Sequence, residues 1–222
     1  MTTVRTDRLF IWLMGSVLCG CANYATLQDA STMPEGKAQV GLAGTMTTYG
    51  IDYESTVTAS TADGETVTTT ASGSEQFTIP ALVVFVRAGV TDRLELHGSA
   101  WLPLGASFGF KYMLVGDREE GFILSPGVDV GAPLSVSVLD EDLLFMDVIV
   151  PVHLGYGLTP GFATYVTPKY GLRIVGDSLH HVGGSTVGIA IGERLRLLIE
   201  GTLLYDATAE DLTLNGAIGL AF

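Results

Sequence analysis

The fold class that this 222-residue sequence predicts is all-β: an antiparallel up-and-down transmembrane barrel of about ten strands, with eight as the lower alternative. Three observations predict it. Charged residues are only 16% of the chain against 47% apolar, and mean hydropathy is +0.41, whereas a soluble domain carries about 25% charged residues. The apolar residues are spread out, and nowhere do they run unbroken for the ~18–20 positions that a spanning helix needs. From about residue 37 onward they recur at every second position, in segments separated by Gly, Asp, Pro and Thr, as in barrel strands with one face in lipid. The 28 glycines, with abundant Val and Thr, favour strands and turns over helices. A net charge of −13, from 11 basic and 24 acidic residues, excludes a nucleic-acid binder, which needs positive charge against the phosphates.

At the N-terminus, Arg5 and Arg8 precede the apolar run Leu9–Met14, and small residues then lead to Leu18-Cys19-Gly20-Cys21. This stretch is too short to span a membrane as a helix and reads as a cleaved export signal. Its Leu-x-Gly-Cys ending resembles the lipobox of bacterial lipoproteins. The resemblance implies a diacylglycerol on the Cys21 thiol, cleavage just before Cys21 and acylation of the new amine. Cys19 stands where that family usually has Ala or Ser. As an acceptor Cys19 fits less well, because Val17-Leu18 precedes it, and a plain signal peptide is the remaining alternative. The chain has no further cysteine, so the mature protein is expected to form no disulfide. Residue 22 is Ala rather than the Asp of an inner-membrane retention signal, so the implied destination is the outer membrane of a Gram-negative bacterium. The expected organisation is a signal peptide over 1–20, a lipidated linker over 21–36 and a barrel over 37–222.

The predicted strands are 37–48, 77–89, 92–103, 105–116, 121–131, 143–156, 161–174, 184–192, 195–206 and 211–222. In 105–116 and the residue before it, Leu104, Ala106, Phe108, Phe110, Tyr112 and Leu114 share one face, and Ser107, Gly109 and Lys111 the other. In 161–174 the apolar face is Phe162, Val166, Tyr170 and Leu172, against Tyr165, Lys169 and Arg173. In 195–206 it is Leu195, Leu197, Ile199 and Leu203, against Arg196 and Glu200. An even count is what single-chain bacterial barrels have. With the N-terminus on the periplasmic side, the inner turns around 89–92, 116–120, 157–160 and 193–194 are short. The outer segment 49–76 is long and rich in Thr and Ser, and is expected to be a mobile surface loop. Pro126, Pro151 and Pro168 cannot donate to a ladder, so bulges or shifted strand ends are expected there.

The chain ends Gly216-Ala217-Ile218-Gly219-Leu220-Ala221-Phe222. A terminal Phe with apolar residues at every second position before it resembles the C-terminal signal of bacterial outer-membrane β-barrels. In that family the last strand is read by the barrel assembly machinery, so Phe222 is the expected assembly signal. The stretch Arg87–Leu96 is similar to a hairpin common in such barrels. Outer-membrane lipids, the assembly machinery and the lipoprotein processing and sorting machinery are the implied partners.

Charges sort by parity. Arg87, Arg93, Lys111, Lys169, Arg173 and Arg196 fall on the inward face with Glu95, Asp129, Asp147 and Glu200, and form an expected lumen network. On the lipid face a Lys or Arg at the midplane costs about 2–4 kcal/mol. The lumen of ten strands is little wider than a side-chain-filled one, so such a network narrows or plugs it. The predicted outer loops hold twelve acidic residues and no Lys or Arg. Tyr49, Tyr53, Trp101, Phe162, Tyr165, Tyr170 and Tyr205 fall near strand ends, as belt aromatics do. His97 and His153 face inward, and His180-His181 fall in an outer loop. No nucleophile–base spacing, phosphate loop or Cys/His cluster is present, so no enzyme activity, cofactor or metal is expected. Two functions fit: an outer-membrane barrel lipoprotein with a structural or narrow, gated channel role, or a periplasm-facing soluble β-barrel lipoprotein that binds a small apolar ligand. The apolar outward parity favours the first.

Cys21→Ser is expected to leave an uncleaved precursor and abolish metabolic acyl labelling. The same outcome from Cys19→Ser, with Cys21→Ser unaffected, would move the acceptor to Cys19.

Overall fold

The computed structural model describes residues 25–60, 66–102, 105–117, 120–133 and 145–222. Ten strands follow one another: β1 (Ala38–Ser60), β2 (Thr66–Gly89), β3 (Leu94–Leu102), β4 (Gly105–Tyr112), β5 (Gly121–Pro133), β6 (Phe145–Thr159), β7 (Phe162–Val175), β8 (Ser178–Ile191), β9 (Arg196–Asp206) and β10 (Asp211–Ala221). Each pairs with its sequence neighbour, and β1 also pairs with β10, from Gly41 opposite Ala221 to Tyr49 opposite Thr213. The protein is therefore a closed, all-antiparallel ten-stranded barrel. At one end, the turn end, lie the start of β1, the short turns after β2, β4, β6 and β8, and Phe222, whose backbone N–H donates to the Val40 carbonyl at 2.8 Å. The connections at the opposite, loop end range from two residues, between β3 and β4 and between β7 and β8, to the longer stretch between β5 and β6.

Period-two alternation sets the polarity of the wall. Phe108, Ile218 and Val187 are 60%, 61% and 62% exposed on the outside. Thr45, Thr167, Thr186, Thr202 and Asn215 are buried on the inside. Among the described side chains of the ten strands, no Asp, Glu, Lys or Arg is exposed. Three inward aromatics each lie over the glycine directly opposite on the next strand: Phe85 on Gly41, Trp101 on Gly105 and Tyr165 on Gly188. A Cβ on these glycines would fall 2.1, 2.2 and 2.4 Å from the ring atoms, so the rings pack where side chains are missing. Trp101 and Tyr165 are thus lumen residues rather than the belt aromatics expected, whereas Tyr170 and Tyr205 do face outward. Tyr49 and Tyr53 lie outside the described side chains.

Three further expectations are corrected. First, 49–76 is not simply a loop. β1 and β2 continue pairing from Gly50 opposite Gln76 to Ser60 opposite Thr66, while β10 leaves β1 at Tyr49 and β3 meets β2 only from Leu82. The cause is local: runs such as Thr56-Val57-Thr58 and Thr66-Val67-Thr68 are β-branched and extend readily. Second, the prolines shift no register. Pro126 pairs with Val152 and Pro168 with Ser185 in continuous frames, and the one shift in β6–β7 falls between Gly157 and Thr159. Third, Arg93 stands exposed in the β2–β3 turn, one residue before β3 begins, and is no part of a lumen network.

Phe108 and Ser107 are neighbours on opposite faces, with the Ser107 hydroxyl bonded to Ser99 Oγ at 2.8 Å inside. In a wall whose outer face meets lipid, Phe108→Arg would set a guanidinium against hydrocarbon, at a cost of about 2–4 kcal/mol at the midplane. It is expected to lower the yield of folded, heat-modifiable protein far more than Ser107→Arg. Equal losses would show that the outer face does not meet lipid.

Candidate functional site

The candidate site is the lumen together with the segment that precedes β1. Residues 22–34 hold a single charge, Asp29, and no period that would predict a strand or helix. The chain enters the lumen at the turn end. Gly36, at φ +69°, donates its N–H to the Gly89 carbonyl at 2.9 Å. Gly89 must lack a side chain, because a Cβ there would fall 2.1 Å from the Pro34 carbonyl oxygen. Beyond this point Leu27, Gln28, Asp29, Ala30, Ser31 and Thr32 are all buried inside the barrel.

Charged groups of the wall hold this segment by its backbone. The Met33 N–H donates to Glu95 Oε2 at 2.7 Å. Arg87 donates through Nη2 to the Ser31 carbonyl (2.8 Å) and Asp29 Oδ1 (3.3 Å), and through Nε to Glu95 Oε1 (2.9 Å). Lys111 Nζ donates to the carbonyls of both Asp29 and Ser31 at 2.8 Å. Arg196 pairs with the other Asp29 oxygen. Burial pushes the Asp29 carboxyl up, but Arg196, Arg87 and Lys111 outweigh it and hold the group down at about 2. Further in, Ser125 Oγ donates to the Ala30 carbonyl (2.7 Å), and the Thr26 N–H donates to Glu200 Oε2 (2.8 Å). The second Glu200 oxygen accepts from the Tyr165 hydroxyl at 2.6 Å. Leu27, in the left-handed region at φ +50° that non-glycine residues seldom occupy, turns its side chain into an apolar cluster with Leu198, Ala217 and Ala221.

A segment secured this way fills the turn-end half of the lumen. Toward the loop end remains a cavity of about 70 Å³, bordered by Ala25, Phe85, Trp101, His97, Asp129 and Lys169. It has room for a few waters.

Of the charges expected in the lumen, Arg87, Glu95, Lys111, Arg196 and Glu200 converge on the segment. Asp129 meets His97 Nε2 at 2.6 Å, and Asp147 accepts from Arg173 Nε at 2.8 Å. Lys169 is buried beside the cavity. His153 is buried against Thr167 (3.2 Å), whereas His180 and His181 pair with Asp206 and Tyr170 toward the loop end. Phe222 is exposed at the turn-end rim. Cys21 and the loop acids Asp140, Glu141 and Asp142 lie outside the described residues. Among the described residues no group of His, Cys, Asp and Glu could hold a metal ion. His97 Nδ1 faces Glu95 Oε1 at 4.0 Å, and Ser99 Oγ is engaged by Ser107. Sequence reading missed the lumen position of 25–33; its one available signal was Asp29, the lone carboxylate of that stretch before a wall with more bases than acids.

Arg87→Ala leaves Glu95 and Asp29 short of their main partner in a buried site, a loss of about 3–5 kcal/mol for a broken buried pair. Urea unfolding of the detergent-folded protein, followed by the fluorescence of lumen residue Trp101, is expected to show that loss. The exposed Glu35→Ala control is expected to leave the midpoint in place.

No protein-family profile matches the sequence, and no curated protein matches it. Among solved structures, the translocator domain of the autotransporter NalP from Neisseria meningitidis is similar, with a TM-score of 0.46 and 11% identity over 98% of this chain and 97% of that one.

Proposed function

We propose that the protein is an outer-membrane β-barrel lipoprotein of a Gram-negative bacterium, with a structural or gated-channel role and a lumen closed by its own N-terminal segment. One observation carries this reading: the barrel is apolar outside and charged inside. In water such an outer face would be an aggregation-prone patch far larger than soluble monomers expose. In a bilayer it is the required arrangement, because closure pairs the strand edges within the barrel wall and lipid covers the rest. The soluble, ligand-binding alternative would need a polar outer face and an apolar interior, and the lumen instead holds Arg87, Lys111, Glu95 and Glu200. On this reading the turn end faces the periplasm, Cys21 carries the lipid, the assembly machinery reads the strand ending at Phe222, and the protein performs no catalysis.

In planar bilayers the wild-type protein is expected to give little or no conductance, and deletion of residues 25–33 to open steps at least several-fold larger. Wide-pore conductance from the wild type, or a silent deletion variant that still shows heat-modifiable mobility, would overturn closure by the segment.

A further inference from the structure

Beyond the lumen, the loop end carries a two-stranded ribbon whose outer edges are unpaired among the described residues. β1 leaves β10 at Tyr49 and runs on through Gly50–Ser60, about 37 Å of chain at ~3.4 Å per residue, paired only with β2. Long free edges template strand addition, and proteins normally blunt them with charged side chains, lysine above all, with proline or with bulges. The Gly50–Ser60 edge contains no lysine or proline and its register with β2 is unbroken, and its only charges are the acids Asp52 and Glu54, which guard it against another acidic strand but not against a basic one. The β2 edge is different, because Pro80 lacks an N–H near its base. A two-stranded ribbon is marginal by itself, and a third strand is what brings independent stability.

Charge decides what that third strand can be. Residues 50–81 hold Asp52, Glu54, Asp63, Glu65 and Glu75 and no Lys or Arg. Two copies of this ribbon laid edge to edge would set like charges against each other, which destabilises cross-strand pairing. A basic strand would be attracted and steered to the same edge.

We propose that the Gly50–Ser60 edge of β1 is a docking site for an extended, lysine- or arginine-rich segment of another protein, which adds to the ribbon as a third strand. The outer-membrane reading matters here only for placing the ribbon on the cell surface. Backbone pairing supplies the affinity and the acidic ribbon the selectivity.

The test uses the full chain folded in detergent, so its result is independent of the membrane in which the barrel resides. The probe is a fluorescent peptide of about eleven residues alternating Lys with Thr and Val. It is expected to bind, and methylation of alternate backbone nitrogens in the peptide is expected to weaken binding about tenfold or more. Asp52→Asn/Glu54→Gln/Glu75→Gln is expected to weaken it several-fold and flatten its salt dependence, with heat-modifiable mobility unchanged. Equal binding by the methylated peptide would reduce the contact to charge alone and overturn strand addition. No binding, no effect of the triple variant, or self-association that displaces the peptide and so assigns the edge to a second copy would each overturn the proposal.

Discussion

Pairing of β1 with β10 is the constraint on which the rest of the molecule depends. Without it the sheet has two edges with rows of unpaired N–H and C=O groups. With it there is an inside, and a buried cluster such as Arg87, Glu95, Lys111 and Asp29 becomes affordable, because each charge faces opposite charges and backbone carbonyls. The apolar outer face, the polar lumen and the enclosed N-terminal segment all follow from that seam.

The segment contributes something the wall lacks. Arg87, Lys111 and Arg196 come from three different strands, and Glu95 alone cannot balance them. Asp29 adds a second carboxylate, the carbonyls of Asp29 and Ser31 accept from Lys111 Nζ, and that of Ser31 accepts from Arg87 as well. The wall and the segment are therefore complementary in charge. Emptying the lumen would leave buried cations short of partners, and that penalty keeps the segment in place.

Most of the barrel was legible in the sequence because its wall alternates strictly, apolar outside and polar inside. Phe108 and Phe110 against Lys111, or Leu197 and Ile199 against Glu200, declare strand, register and face together. What could not be read obeys other rules. Residues 50–60 and 66–76 pair with each other beyond the barrel wall, and their many Thr and Ser gave them the look of a loop. Trp101 and Tyr165 turn inward because the glycines opposite them leave space, and a cross-strand neighbour is visible only once register is known. Arg93 has the parity of its strand but sits one residue before it. The segment 25–33 has no period at all: it is shaped by the cavity that it fills.

That enclosure has a consequence for the order in which the protein is made. Asp29 touches Arg87 on β2 and Arg196 on β9, and Thr26 meets Glu200 across 174 residues of sequence. These residues before β1 therefore gain their full set of partners only after the strands up to β9 are in place. Contacts of such separation form slowly, because chain entropy is lost before they repay it. Contacts that form after the rate-limiting step do little for the speed of folding and act mainly on the rate of unfolding. The N-terminal segment is in this sense a late latch, setting how long the finished barrel lasts more than how quickly it arises.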